Sequence, residues 1–149
     1  MTTLRRVGAA DAPTMAALAR DAYAIYVERI GRPPAPMEAD YGAVVGDSES
    51  WVAEDDSGLV GLLVLRPGRD HLLLDNVAVR PDRQGRGVSS LLLAKAEDRA
   101  RELALPEVRL YTNVAMTENI GYYRRHGYVL THGGSSDGFR RAHFTLKVQ

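Results

Sequence analysis

Between Pro81 and Ser90 the chain reads Pro-Asp-Arg-Gln-Gly-Arg-Gly-Val-Ser-Ser, after an apolar strand pattern and directly before an amphipathic helix pattern. A loop of this kind aims unpaired backbone N–H groups and the positive end of a helix dipole at one point. The ligand that such a point favours is a phosphate or pyrophosphate. Gly85 and Gly87 let the backbone approach a diphosphate closely, with Arg83 and Arg86 placed to meet ribose or phosphate oxygens from the sides. The loop is not a Walker loop, because it lacks the Gly-Lys-Ser/Thr ending. It also departs from the dinucleotide fingerprint, which needs a third glycine and an acidic residue closing a following strand. On its own the segment reads equally as a basic, glycine-rich turn.

Composition narrows the classes. The chain has 149 residues, 45% hydrophobic and 26% charged, which suits one globular domain with a sizeable core. Lys plus Arg and Asp plus Glu number 19 each, so there is no general basic field and no nucleic-acid partner is expected. The absence of cysteine excludes disulfides, thiolate metal sites and cysteine nucleophiles. His71, His126, His132 and His143 form no ligand spacing, so no metal is expected. No apolar run reaches membrane-spanning length and no signal-peptide core is seen, so the expectation is a cytoplasmic protein without a membrane partner.

The elements that must carry the loop follow from periodicity. A strand is predicted over Leu4 to Val7. Asp11 reads as the N-cap of a helix over about 12–30, with Met15, Leu18, Ala22, Ile25 and Ile30 on its apolar stripe. Gly31-Arg-Pro-Pro-Ala-Pro36 ends it, and a shorter helix is predicted from Met37 to about Val45. Strands Trp51–Glu54 and Leu59–Leu65 flank an Asp-Asp-Ser-Gly turn, and Leu72–Val79 forms the strand before the loop. The helix after the loop runs from about Val88 to about Leu103, with Val88, Leu91, Leu92, Ala96, Ala100 and Leu103 on one stripe. A strand over Val108–Thr112, a helix over Thr117–Arg125 capped by Gly127, and strands Tyr128–Thr131 and Phe139–Val148 across a Gly-Gly-Ser-Ser-Asp-Gly loop complete the chain. This is an α/β (α+β mixed) pattern with a mostly antiparallel sheet of about seven strands and about four helices.

Residues 77–93, Val-Ala-Val-Arg-Pro-Asp-Arg-Gln-Gly-Arg-Gly-Val-Ser-Ser-Leu-Leu-Leu, resemble the acyl-CoA-binding motif of the GNAT superfamily of N-acyltransferases. Asn119-Ile-Gly-Tyr-Tyr-Arg-Arg-His-Gly-Tyr128 is similar to that family's helix ending in Tyr-x-x-x-Gly-Phe/Tyr. The element order matches as well, so the resemblance covers nearly the whole chain. It implies a single GNAT N-acetyltransferase domain over residues 1–149, with acetyl-CoA as co-substrate. Val77, Ala78 and Val79 would line the pantetheine arm, and Gln84, Gly85, Arg86, Gly87, Val88, Ser89 and Ser90 would hold the pyrophosphate. Asn119 would reach the pantetheine or the substrate, and Tyr122 would stand beside the cofactor. The family usually has Gly or Ala where Ser89 stands, and serine is small enough to fit and could add a donor.

The resemblance implies direct attack of an amine on the thioester, with Tyr123 as the acid that protonates the departing thiolate. A protonated amine cannot attack, so a base or a water chain must take its proton. Asp75 is the candidate, as a carboxylate in an otherwise apolar strand, while pairing with an arginine at a sheet edge is the competing role. Glu54 and Glu118 are weaker candidates. Tyr23, Tyr26, Glu28, Arg29, Met37, Asp40 and Tyr41 offer substrate contacts or simply pack on the sheet. The acceptor would be an amine of a small molecule or a peptide, and a homodimer is compatible with the resemblance. A non-catalytic CoA-binding regulatory module is the alternative, and a phosphate-binding protein of another fold a more distant one.

Overall fold

Leu59 to Leu65 is apolar without alternation, a pattern that a strand sustains when both faces of its sheet are covered. All seven of these residues are buried. The computed structural model describes residues 1–136 and 139–148, without the side chains of 132–136 and 139. In chain order the elements are β1 (Thr3–Arg6), α1 (Ala12–Tyr23), α2 (Val27–Ile30), α3 (Ala35–Glu38), α4 (Tyr41–Asp47), β2 (Glu49–Asp55), β3 (Gly58–Pro67), β4 (Leu72–Val79), α5 (Val88–Glu102), β5 (Glu107–Asn113), α6 (Thr117–Arg125), β6 (Val129–Ser136) and β7 (Phe139–Lys147). The strands form one seven-stranded sheet in the order β1-β2-β3-β4-β5-β7-β6. Every neighbouring pair is antiparallel except β4 and β5.

Alternation along β3 divides the core. Leu63 and Leu65 join Leu72, Leu92, Leu93 and Ala96 on the face covered by α5. Leu62 and Val64 join Met15, Leu18 and Ala22 on the face covered by α1. Gly61 sets the closeness of α5, because a Cβ there would stand 3.0 Å from both Leu92 Cδ1 and Val88 Cγ1. Across the same face Arg99 of α5 grips Glu49 of β2 with two hydrogen bonds of 2.7 and 2.8 Å.

The strand feeding the glycine loop contains one extra residue. Leu65 pairs with Leu74 and Val64 with Asn76, leaving Asp75 as a bulge. One inserted residue reverses which face each later side chain meets. Leu72 and Leu74 therefore pack toward α5, whereas Asn76 turns to Tyr23 of α1. The parallel ladder to β5 has only the rungs Leu72–Val108 and Leu73–Arg109, after which the two strands part.

Several local expectations change. The stretch 12–30 is broken by a 3₁₀ turn at Ala24–Tyr26, which tightens the spacing so that Tyr23 and Tyr26 both turn inward, leaving Ile25 62% exposed. Asp11 does not cap α1 with its side chain. Its carboxylate accepts from Gly8 N–H and from both terminal nitrogens of Arg5, and Arg5 holds it below the usual carboxylate range. The 37–45 helix is two short helices, the second capped by Asp40 through Gly42 and Ala43 N–H. These breaks raise the helix count above four. On α5, Leu93 is buried while Leu91 and Leu103 are exposed. Gly133 to Ser136, expected in a loop, continue β6 because they stay paired with β7, and Asp137 and Gly138 of that loop lie outside the described residues.

Two stability measurements test this packing. Arg99 depresses the Glu49 pKa, so the pair's contribution is present above the unfolded glutamate value of about 4.3 and is lost as pH falls through the folded value. Glu49→Gln is expected to lower the denaturation midpoint at neutral pH and to flatten its decline between about pH 5 and about pH 3; an unchanged decline would contradict this. The Tyr128 hydroxyl is buried with no hydrogen-bond partner among the described residues, while its ring meets Tyr123 edge-on. Tyr128→Phe keeps the ring and should raise unfolding free energy by about 1 kcal/mol in urea titration, and a loss would show that the hydroxyl is bonded.

Candidate active site

Parting of β4 and β5 opens the middle of the sheet, and two cavities meet in the opening. The first, about 270 Å³, lies between the parted strands and the connector carrying α3 and α4. The second, about 300 Å³, runs from the parted strands toward the glycine loop. Tyr23, Val77, Asn119 and Tyr123 border both, so these residues form a neck between them.

The glycine loop stands at the far end of the second cavity. Gly85 and Gly87 take φ of 76° and 86°, left-handed values that strain any other residue, and Gly87 is the last residue before α5. The first helical bond of α5 runs from Leu91 N–H to Gly87 O, which leaves the amides of Val88, Ser89 and Ser90 without a backbone acceptor. Gln84 and Ser89 line the cavity, and Gln84 Nε2 is anchored on Val79 O at 3.1 Å. Val88 is buried in the core, so only its backbone faces the loop. Ser90 Oγ lies 3.4 Å from the Tyr122 hydroxyl and 3.3 Å from His126 Nε2. Arg83 turns away from the loop's concave side: it pairs with Asp55 at 3.0 Å and Asp82 at 3.1 Å. Arg86 makes no ion pair among the described residues.

Tyr123 is delivered to the neck by α6, whose last turn ends at Gly127 with φ of 91°. Its ring packs against Tyr128 and Phe144, and its hydroxyl bonds to no described residue. Burial raises the Tyr123 pKa well above the ordinary tyrosine range, so the phenol stays protonated. Tyr122 lines the second cavity only, beside His126 and Arg125.

Asp75 faces the first cavity. Arg66 Nε binds its Oδ2 at 2.9 Å, while Oδ1 lies 3.5 Å from the Tyr111 hydroxyl. The arginine pairing of the competing role is thus present, but not its sheet edge, because β4 lies inside the sheet between β3 and β5. Asn76 next to it is 8% exposed and fully engaged: Tyr23 donates to its Oδ1 at 2.7 Å, and its Nδ2 donates to Tyr41, which donates to Pro36 O. That chain ties α1, β4 and the connector together around the cavity. Burial pushes Tyr41 up to about 12, so it too remains a donor.

The other expected contacts divide. Tyr41 lines the first cavity and Tyr26 the second, whereas Glu28, Met37 and Asp40 line neither. Glu118 lines the second cavity but is held by Arg29 at 2.8 Å and by the Tyr26 hydroxyl, and these bonds lower its pKa. Glu54 pairs with Arg5 on β1, away from both cavities. Sequence reasoning missed Asn76, Tyr111, Asn113 and Arg141. Only Asn76, a second polar residue in an apolar strand, left a signal; the others reach the cavity through the register of β5 and β7.

Comparison with known proteins follows the same lines. The probable N-acetyltransferase 14 of Xenopus tropicalis is 31% identical over 98 residues, 64% of this chain and 48% of that protein, so the chain spans about half the length of this relative. The ribosomal-protein-S18-alanine N-acetyltransferase of Escherichia coli superposes with a TM-score of 0.80 at 17% identity, over 99% of this chain and 94% of that one. The PaiA N-acetyltransferase of Thermoplasma acidophilum, solved in complex with coenzyme A, gives 0.80 at 16% identity over 96% and 98%. At these identities the structures show a shared fold. Residues 15–128, a span holding the glycine loop, the neck and Tyr123, match the acetyltransferase (GNAT) family, and the protein belongs to that family.

Proposed function

We propose that the protein transfers an acetyl group from acetyl-CoA to the amine of a small molecule or peptide by direct attack. The observation that carries this reading is the neck: two cavities share the side chain of Tyr123, whose hydroxyl bonds to no described residue and is kept protonated by burial. The residues present fit the co-substrate. Amides of 85–90 and the α5 dipole suit a pyrophosphate, and Val77, Ala78 and Val79 wall the narrow path that suits a pantetheine arm. Asn119 and Tyr122 flank the same path.

Acetyl-CoA supplies a thioester carbonyl and a thiolate leaving group. The chain's part is to bring the amine to that carbonyl, to take one proton and to give another. Beyond Leu73 the β4 edge is released from β5, so backbone N–H groups near Val77 are placed to polarise the carbonyl oxygen. As the N–C bond forms and the C–S bond breaks, Tyr123 gives its proton to sulfur. Burial that keeps the phenol protonated also raises the basicity of a thiolate beside it, so transfer is not opposed by the buried setting alone. Asp75 Oδ1, the oxygen that Arg66 does not bind, receives the proton of the attacking amine.

Tyr123→Phe should lower kcat at least about 100-fold, with the acetyl-CoA Kd within about threefold of wild type; wild-type turnover would remove Tyr123 as the acid. At Gly87 a Cβ meets no atom within 4 Å, so Gly87→Ala acts through backbone strain alone, about 1–2 kcal/mol. Calorimetry should find coenzyme A binding at least about tenfold weaker in that variant, and unchanged affinity would dismiss the loop as the anchor.

A further inference from the structure

The second cavity carries two formally charged side chains along its lining, Glu118 and Arg125. Glu118 is already engaged: Arg29 Nη1 reaches both of its oxygens at 2.8 Å, and the Tyr26 hydroxyl donates to Oε2 at 3.1 Å. The Arg125 guanidinium makes no hydrogen bond and no ion pair among the described residues. Its position is nonetheless defined. The side chain leans back along α6, as helical side chains do, so that a Cβ added at Gly121 would stand 3.3 Å from Nη1. The guanidinium lies 6.0 Å from the centre of the Tyr122 ring, and the Tyr122 hydroxyl lies 3.4 Å from Ser90 Oγ in the first turn of α5. A cation without a counter-ion thus stands on the α6 wall, about one helical turn from the contact with α5.

The arginines that flank the glycine loop in sequence are not in this state. Asp82 takes both Arg80 and Arg83, and Asp55 takes Arg83 as well. The loop itself offers backbone amides, which suit a diphosphate through oriented donors but bring no formal charge. Coenzyme A carries a third phosphate, a monoester on its ribose, with a charge of about −1.5 to −2 at pH 7. A guanidinium meets such a group with two parallel donors and a permanent charge. The unpaired cation of the cavity and the monoester of the co-substrate match in sign and in donor geometry.

Resting on the placement of the diphosphate at the loop amides, we propose that Arg125 binds the ribose 3′-phosphate of coenzyme A and makes the protein selective for the fully phosphorylated cofactor. Arg125 is then a specificity-determining residue, supplied by the last turn of α6. A thioester on a protein-borne phosphopantetheine lacks the ribose phosphate, so the same contact favours free acyl-CoA as the donor.

Calorimetry with coenzyme A and 3′-dephospho-coenzyme A tests the proposal without any acceptor. The two ligands share the pantetheine arm and the diphosphate and differ in the monoester alone. Wild type is expected to bind coenzyme A at least about tenfold more tightly than the dephospho ligand. Arg125→Gln should cut that ratio to within about threefold, with the dephospho ligand's Kd within about twofold of wild type. Arg124→Gln is the control, because it removes an exposed charge of the same sign from the neighbouring position, off the cavity lining. Its ratio should stay within about twofold of wild type. Equal binding of the two ligands by wild type overturns the proposal and leaves the loop as anchor, and this comparison stands even if a variant fails to fold. Equal weakening of both ligands in Arg125→Gln also overturns it, because Arg125 then serves the diphosphate. Loss of the ratio in Arg124→Gln as well reduces the effect to general surface charge and overturns it too. Failure of both ligands to bind wild type removes the diphosphate anchor along with the proposal.

Discussion

One inserted residue in β4 sets the geometry on which the rest depends. Without Asp75 as a bulge, strict alternation would place Asn76 on the α5 side with Leu72 and Leu74. It would then be a buried amide in an apolar core, without the tyrosines that now satisfy it. With the bulge, Asn76 reaches Tyr23 and Tyr41, and Asp75 is left without a ladder partner on β3. A bulge also bends its strand and increases the local twist. The parting of β4 and β5, with the cavities that occupy it, starts beside this residue.

The cleft is braced at unequal strength on its two sides. Around the first cavity, Tyr23, Asn76 and Tyr41 form a buried, connected set whose members stabilise one another in low dielectric. Across the second, α2 and α6 are joined by Arg29 and Glu118, whose side chains are 44% and 55% exposed. Such an exposed pair contributes at most about 1 kcal/mol and weakens with salt. The first cavity is therefore the more firmly braced of the two.

What the sequence made legible was local. The glycine loop, the bounds of β4 and α6, and the left-handed Gly127 follow from residue types within a few positions of one another, and the structure places them as read. The seven-stranded, mostly antiparallel sheet follows from the order of apolar runs. Side-chain destinations set by distant partners were not legible. Arg83 looked free to meet a phosphate, but Asp55, at the end of the β2–β3 hairpin, claims it. Tyr111 and Arg141 gave no local signal, because their place depends on the register of β5 against β7, fixed by pairings such as Tyr111 with His143. The 3₁₀ turn at 24–26 was hidden for a similar reason: two tyrosines three residues apart each find a partner on a different element, Asn76 on β4 and Glu118 on α6.

The neck joins two cavities that each open to solvent, so the parted strands make a passage with two mouths. In the proposed acetyl transfer, neither ligand would have to cross the other's place to arrive or to leave. Sterics would then impose no compulsory sequence of entry, and a ternary complex could assemble from either binary one. Kinetic order would be a property of relative affinities, with the concentration of each ligand deciding which mouth fills first.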